Sequence, residues 1–596
     1  MSIPERPVER VSALVVPVRD RAITVESAPV ALPRLGRVGR DALVAAILAG
    51  LIASLILSVG PPGVDAAAHL YHTRAFEEQG WRIWDNYWYA GRYDLVNYSV
   101  LYYPLAAALG QATVAVGAVI GCAAAFALLA HRLGGRQPQA AIIVFAVVWP
   151  TVLIAGQYPF GLGMLAALIS LLLWLHGRPM AGLLAAVAAL LASPLAFLFL
   201  AIVLAGCAVS CRALFTSTRM RLAAAGVLLA GLGEVVVLRL FPSGGQFPYP
   251  LLDLGGVALF VVVGVMLARR SGRLGFLAGP LVAYLVASVA VAIYPSGVGG
   301  NVARLVEYIS LPTLLLLLGD LRFRPRLLAV AVIAVAVTGH VIPVSRDLEG
   351  GLAVRADDAA FWERSVAWLQ APDHSSVEFR VHVVSTWGHW ESYYLASHDI
   401  PITRGWFRQD DFPVNRPLYS GHLDASSYQA WLRSLGVRYV LLPNEQLDYS
   451  SRREAEILRS PGHGGLRLVP RSDPNVQVFE LPDPTPLLTA TTGPGGPAPS
   501  AATPRVLMID RTSIALNLPA PGLYDLRIRF TPYWVASDPN AVCVMEGDDG
   551  MTRVVSYRGG YTRLRFDLTL GESARQALGE SAGRCTSVPA GIPAGT

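Results

Sequence analysis

Between residues 42 and 343 the chain is a succession of apolar runs, each about as long as a bilayer is thick, separated by short polar stretches. Such a run needs about twenty residues, and in lipid it can satisfy its own backbone only as a helix. The runs fall at 42–60, 101–130, 139–155, 160–176, 181–192 with 194–210, 222–240, 250–268, 274–293, 305–319 and 326–343. The stretch 181–210 is too long for one span. Ser193-Pro194 divides it, because proline lacks a backbone donor and disfavours helix in the residue before it. About eleven spans are expected. Composition agrees, since 53% of the 596 residues are hydrophobic and only 15% are charged, a balance foreign to ordinary soluble domains.

Arginine supplies the orientation. The chain has no lysine, and its arginines concentrate in "HRLGGRQ" at 131–137, "HGRP" at 176–179, "CRALFTSTRMR" at 211–221, "ARRSGR" at 268–273 and "GDLRFRPR" at 319–326. Every second loop is basic if 181–210 crosses twice, and short basic loops stay cytoplasmic. This predicts a multi-pass protein of a bacterial cytoplasmic membrane, with the N-terminus inside and everything after about 345 outside. The Arg-rich residues 1–41 read as a disordered cytoplasmic tail. They lack the compact pattern of a cleavable signal and fit a positive-inside anchor. The net charge of +6 gives no reason to invoke nucleic acid.

Three further regions follow the expected membrane domain, 42–345. Strand-like "FRVHVVST", "VRYVLLP" and "VQVFEL", with helical spacing at 427–436 and 450–460, predict an extracytoplasmic α/β domain over 355–481. Residues 482–504 are Pro/Gly/Thr/Ser-rich and read as a linker. Alternating apolar and polar residues over 505–596 predict a β-sandwich-like domain and tail. Cys543 and Cys585 are the two cysteines expected outside, in an oxidising compartment. Their pairing is not legible without the Cα separation.

The densest polar patch is "GPPGVDAAAHLYHTRAFEEQGWRIWDNYWYAGRYDLVNYS" at 60–99. If its start is helical, Asp65, His69 and His72 share one face, and the helix can lie in the interface with Leu70 and Phe76 toward lipid. An acidic residue at a membrane boundary is a candidate for chemistry, so Asp65 is the first catalytic candidate, although it can also be a helix cap. His69 stands open between site and surface, and His72 reads as solvated. Asp85, Asn86 and Arg92 are binding candidates among aromatics that a membrane interface alone would attract. Arg304 and Glu307, three residues apart at the mouth of a span, share a helix face; the arginine suits a phosphate, or an ion pair with a nearby carboxylate. Gln157, Tyr158 and Gln246 lie in loops expected on the same side. Nucleotide-binding loops, HExxH, CxxC and nucleophile-elbow motifs are absent from the sequence, and few charges fall within the spans, which counts against a transporter.

The arrangement of one span, a long loop with an early Asp, many spans and an outer C-terminal region resembles the GT-C class of polyprenyl-phosphosugar glycosyltransferases. "DAAAHLYHTRAF", "GWRIWDNYWYAGRY" and "YSVLYYPLAA" are similar to bacterial membrane proteins labelled 6-pyruvoyl-tetrahydropterin synthase-related, and more loosely to YfhO-like proteins. The resemblance implies a GT-C-like helical fold in which Asp65 corresponds to the acidic residue of the first outer loop. It further implies a polyprenyl-phosphate-linked sugar as donor and a cell-envelope glycan, lipid or protein as acceptor, both met among membrane lipids. No cofactor is firmly implied. The lack of an Asp-x-Asp or Glu-Asp pair beside Asp65 counts against a divalent cation, and no zinc-binding histidine cluster supports pterin chemistry. A non-catalytic scaffold, or a lipid- or glycan-binding envelope protein, is the alternative.

Overall fold

The computed structural model describes residues 15–18, 21–24, 36–94, 98–134, 136–211, 217–242, 245–320, 326–491, 502–569, 571 and 585. Most of the N-terminal stretch read as a tail lies outside the described residues. Within it, Val15–Val18 pairs with Arg21–Thr24 in a short antiparallel ladder, and helix begins at Gly36.

Eight described helices are long and apolar enough to cross a membrane: Gly36–Val59, Gln111–Arg132, Tyr158–Leu175, Thr218–Leu240, Leu251–Arg270, Gly275–Ile293, Gly299–Asp320 and Ala329–Ala353. Three shorter apolar helices, Gln139–Leu153, Pro179–Ala192 and Pro194–Ser210, occupy the remaining predicted runs. The first helix shows the packing rule. It buries Ala42, Ala45, Ala49 and Ala53 and leaves Leu43, Ile47, Leu51 and Leu55 exposed, so small residues let it close on Gln111–Arg132 while large ones face outward. At the bend, extended Ser193 caps Pro194–Ser210 by accepting from the Ala196 amide.

Hydrogen bonds gather the non-basic loops at one end of the bundle. The Asp65 amide donates to the Ala155 carbonyl (3.0 Å), those of Val100 and Leu101 to the Leu191 carbonyl (2.8 Å each), and those of Phe247 and Gly300 to the carbonyls of Ser296 (2.9 Å) and Pro248 (3.0 Å). Basic loops meet at the other end, where Arg273 donates to the Gly134 carbonyl.

Beyond Ala353, Arg380–Val383, Val437–Pro443, Val476–Glu480 and Arg467–Leu468 form one sheet in that spatial order, parallel across the first pair and antiparallel across the others. The helix predicted at 427–436 is Ala425–Ser434, opened by a capping box between Asp424 and Ser427. Two four-stranded antiparallel sheets then make the sandwich. One runs Arg505–Asp510, Ser513–Leu518, Gly560–Phe566, Trp534–Ala536; the other Val542–Glu546, Met551–Ser556, Gly522–Arg529, Leu488–Ala490. The last strand falls in the stretch read as a linker. Leu487 and Leu488 are buried and tie its first third to the sandwich, and 492–501 lie outside the described residues. Cys543 and Cys585 are disulfide-bonded, with Cα atoms 5.2 Å apart.

The 61–100 loop departs most from expectation. Ala66–Gln79 is a helix, but it is buried on most of its circumference, including His69, Tyr71 and His72, and so does not lie in an interface. Trp84–Asp85 and Arg92–Tyr93 form a two-residue ladder that drives Trp84 and Tyr93 into the sandwich core beside Tyr533, Trp534 and Phe566. Tyr87, Trp88 and Tyr89 are also buried. These aromatics therefore pack within protein, and among the loop's tryptophans only Trp81 is exposed. Trp84 is 1% exposed, so Trp84→Ala should cost about 3–5 kcal/mol. Thermal unfolding of the purified protein should show the loss, and limited proteolysis should show new cleavage within 61–100.

Candidate active site

Asp65 sits where the first helix's exit segment crosses the start of Tyr158–Leu175. The crossing is backbone on backbone: a Cβ on Gly63 would lie 2.3 Å from Gly156 Cα, and Gly156 holds φ +73°, which suits glycine. Asp65 occupies the cap position of Ala66–Gln79 but caps nothing, for its side chain accepts no bond from the helix amides. Its Oδ2 lies 3.7 Å from an Arg304 Nη and makes no hydrogen bond among the described residues. The residue is 5% exposed. Burial raises its pKa from the ordinary carboxylate range to about 7; Arg304 opposes the rise and Asp347 adds to it.

Arg304 begins its helix and faces a cavity of about 390 Å³, which Gln157, Glu307, Asp347, Arg408 and Tyr449 also line. Asp65 itself stands behind Arg304 and is not among the lining residues. Glu307 forms no ion pair within 4.0 Å among the described residues; its carbonyl accepts from His340 Nδ1. The Gln157 side chain accepts from the Tyr308 hydroxyl at 3.4 Å. Arg408 comes from the α/β domain, fixed by Asp448 at 2.7 Å, so this domain closes one wall. The cavity wall thus includes two arginines and several acidic residues, a set able to grip an oxyanion on one side and hydroxyls on another.

The other sequence candidates lie elsewhere. His69 enters a cluster of Tyr98, Tyr102, Tyr103 and Tyr158, with Nδ1 3.3 Å from the Tyr103 hydroxyl and Nε2 without a hydrogen-bond partner among the described residues. Burial, with like charge from His72 and Arg304, keeps it well below the usual histidine pKa. Tyr158 is thus near His69 and not a cavity residue, and Gln246 is exposed outside the cavity. His72, read as solvated, is buried 3.1 Å from Asp94. Asp85 accepts from Tyr71 (2.6 Å), Arg82 (3.1 Å) and the Tyr87 amide (2.9 Å). Asn86 donates to the Asp510 carbonyl (2.7 Å) and Arg92 to Asp410 (2.9 Å). Burial pushes the Asp94 carboxyl up, but His72, Arg82 and Arg92 outweigh it and hold it below the ordinary range. These residues bind the loop to the C-terminal domains.

Asp347, Arg408 and Tyr449 were missed. Asp347 follows the predicted end of the last apolar run, and its helix continues through Pro343 to Ala353; an acid just past a span was the available signal. Nothing local marked Arg408 or Tyr449. Among the described residues no three His, Cys, Asp or Glu side chains are grouped to hold a metal ion.

Fold and site together define a polytopic helical membrane protein whose α/β domain closes one wall of a charged cavity at one end of the bundle, with a β-sandwich following it. No family model matches the chain, and no curated protein does. Among solved structures it is similar to the arabinofuranosyltransferase AftD from Mycobacteria, at 19% identity over 76% of this chain and a TM-score of 0.47. The chain spans 41% of that protein's length. It is also similar to the apo oligosaccharyltransferase of Archaeoglobus fulgidus, at 12% identity over 77% of this chain and 76% of that one, with a TM-score of 0.45. Likeness at this level concerns the course of the chain and says nothing of donor or acceptor.

The Asp65 pKa has a consequence for stability. An unfolded aspartate titrates near 3.8 and the folded one near 7, so the folded state holds the proton more tightly. Stability therefore falls as pH rises from about 4 to 7, by a few kcal/mol at most. Asp65→Asn should unfold at a higher temperature than the parent at pH 8, and the two should converge near pH 4. Parallel melting curves across that range check it.

Proposed function

We propose that the protein is a glycosyltransferase that moves a sugar from a polyprenyl-phosphate donor to a cell-envelope acceptor at the outer face of the membrane. The observation that carries this reading is Asp65: a buried carboxyl with an unpartnered oxygen, titrating near neutrality beside an arginine that faces an open cavity. A general base works best with a pKa near the working pH. A lipid donor held in the bilayer presents its phosphosugar at the interface, which suits a charged cavity at the end of an apolar bundle. The donor class itself is the one implied by the sequence resemblance.

In this mechanism the donor phosphate engages Arg304, the 3.7 Å pair with Asp65 opens, and Asp65 Oδ2 takes the proton of the acceptor hydroxyl. The hydroxyl oxygen attacks the anomeric carbon, and the glycosidic bond to phosphate breaks with its electron pair passing to the phosphate oxygen. Arg304 neutralises the charge that grows there. Glu307, Gln157 and Asp347 line the acceptor side, and Tyr449 with Arg408 covers it. Asp85, Asn86 and Arg92 act through position, holding the loop that carries Asp65.

The position of Asp65 behind Arg304 favours one second reading, a non-catalytic protein that binds envelope lipid or glycan in the same cavity. The two part on consumption of lipid-linked sugar. Asp65→Asn should lower transfer about 10²- to 10⁴-fold while the protein stays in the membrane. The parent's rate should rise with pH through about 7, where Asp65 loses its proton. Equal glycan products from Asp65→Asn and parent, in cells lacking the native copy, would remove the catalytic reading. Ligand retention by an Asp65→Asn, Arg304→Gln double variant, with no sugar consumed by the parent either, would favour the binding protein.

A further inference from the structure

Tyr449 lines the cavity that Arg304 faces and is 52% exposed. Every other tryptophan, tyrosine and phenylalanine described between 355 and 481 is buried or half-buried. A membrane interface attracts exposed aromatics, but it does not account for how this one is held. The turn that carries it, Tyr449–Ser451, is capped by Asp448, whose carboxylate accepts from the Ser450 amide at 2.9 Å. Ser450 and Ser451, next in the turn, are buried, and each hydroxyl accepts from Arg404 at 2.7 Å. Arg408 lies over the tyrosine ring, its guanidinium carbon 4.5 Å from the ring centroid. Asp448 holds that guanidinium too, at 2.7 and 3.3 Å. One carboxylate thus fixes both the turn and the cation that backs the ring. A half-exposed ring already held in place loses little freedom when a ligand settles on it.

The rest of the wall narrows the ligand. Both arginines of the cavity already face carboxylates, Arg304 at 3.7 Å from Asp65 and Arg408 at 2.7 Å from Asp448. If the donor phosphate takes Arg304, the Tyr449 side has only the guanidinium that Asp448 holds. The other polar lining residues are carboxyl and amide: Asp253, Glu307, Asp347, Gln157 and Asn301. Such groups accept from hydroxyls. An anionic headgroup would meet the acids as like charge, and an apolar chain would bury them without partners. A sugar ring matches both halves of this wall, because its C–H face lies flat on an aromatic while its hydroxyls reach acceptors at the rim.

We propose that Tyr449 is the platform on which a sugar ring of the acceptor stacks, so that the acceptor at this site is a glycan. This assignment rests on the transferase reading, whose acceptor it names. Glu307 and Asp347 then take the hydroxyls of the stacked ring, and Arg408 supports the platform from the other side. The α/β domain in this way selects the acceptor, while the membrane helices supply Arg304 for the donor.

The test is saturation-transfer NMR on the full-length protein in detergent, without donor, using methyl β-D-galactopyranoside, methyl α-D-mannopyranoside and glycerol phosphate. At least one glycoside should receive saturation, most strongly on its ring C–H protons. Tyr449→Phe should keep that binding, and Tyr449→Leu, apolar but not flat, should weaken it about tenfold. If Tyr449→Leu fails to elute as the parent does, Tyr449→His, with a smaller ring, should still weaken binding several-fold. Glycerol phosphate bound in preference to both glycosides, affinity unchanged in the folded leucine or histidine variant, or neither glycoside bound by the parent would each overturn the platform. Since no donor is present, these results stand apart from transfer. Transfer lost in Asp65→Asn with no glycoside bound by the parent would keep the enzyme and overturn the glycan acceptor. Glycoside binding that depends on Tyr449, with transfer unchanged in Asp65→Asn, would uphold the platform and remove the catalytic reading of Asp65.

Discussion

The structure depends on one intrusion: a loop from the membrane half of the chain completes the cores of the C-terminal half. Trp84 and Tyr93 pack inside the sandwich, and around them a buried charge network joins Arg82, Asp85, Arg92 and Asp94 to Asp410 and Arg511. The apolar part of this junction supplies the driving force, since burying a large aromatic removes much area from water. The ionic part adds little net stability, because desolvation offsets attraction, but it penalises any other docking angle heavily. Helix Ala66–Gln79, and with it Asp65, inherits its position from that junction.

This explains the shape of the candidate site. Arg304, Glu307 and Asp347 come from membrane helices, whereas Arg408 and Tyr449 come from the α/β domain. Neither set encloses the cavity alone. The Asp65 carboxyl draws its unusual proton affinity from the same enclosure, through loss of water more than through any single neighbour.

The spans were legible because a bilayer-length apolar run carries its own instruction, and Ser193-Pro194 marked its bend through backbone chemistry alone. The strands at 380–383, 437–443 and 476–480 were legible for a similar local reason. The aromatics of 81–93 were not, because a membrane belt and a junction between domains ask for the same residues. Arg304, Glu307 and Gln157 were legible as polar residues at span mouths and do share a cavity. Asp85, Asn86 and Arg92 read equally well as ligands or as buried partners, and their partners at 410, 510 and 511 are visible only in three dimensions. Arg408 and Tyr449 carried no local signal at all.

The bond from Asn86 to the Asp510 carbonyl joins residues 424 positions apart, and that distance is also a delay. At about 5–20 residues per second, synthesis takes on the order of 20–80 s to cover it. During that time the helices are being inserted while the 61–100 loop has neither sandwich nor α/β sheet to enter. Its arginines, aspartates and tryptophans must wait exposed. The loop that carries Asp65 is thus docked last although it is made among the first, so a nascent chain that stalls anywhere before the sandwich can have all its membrane helices and still lack the junction that positions Asp65.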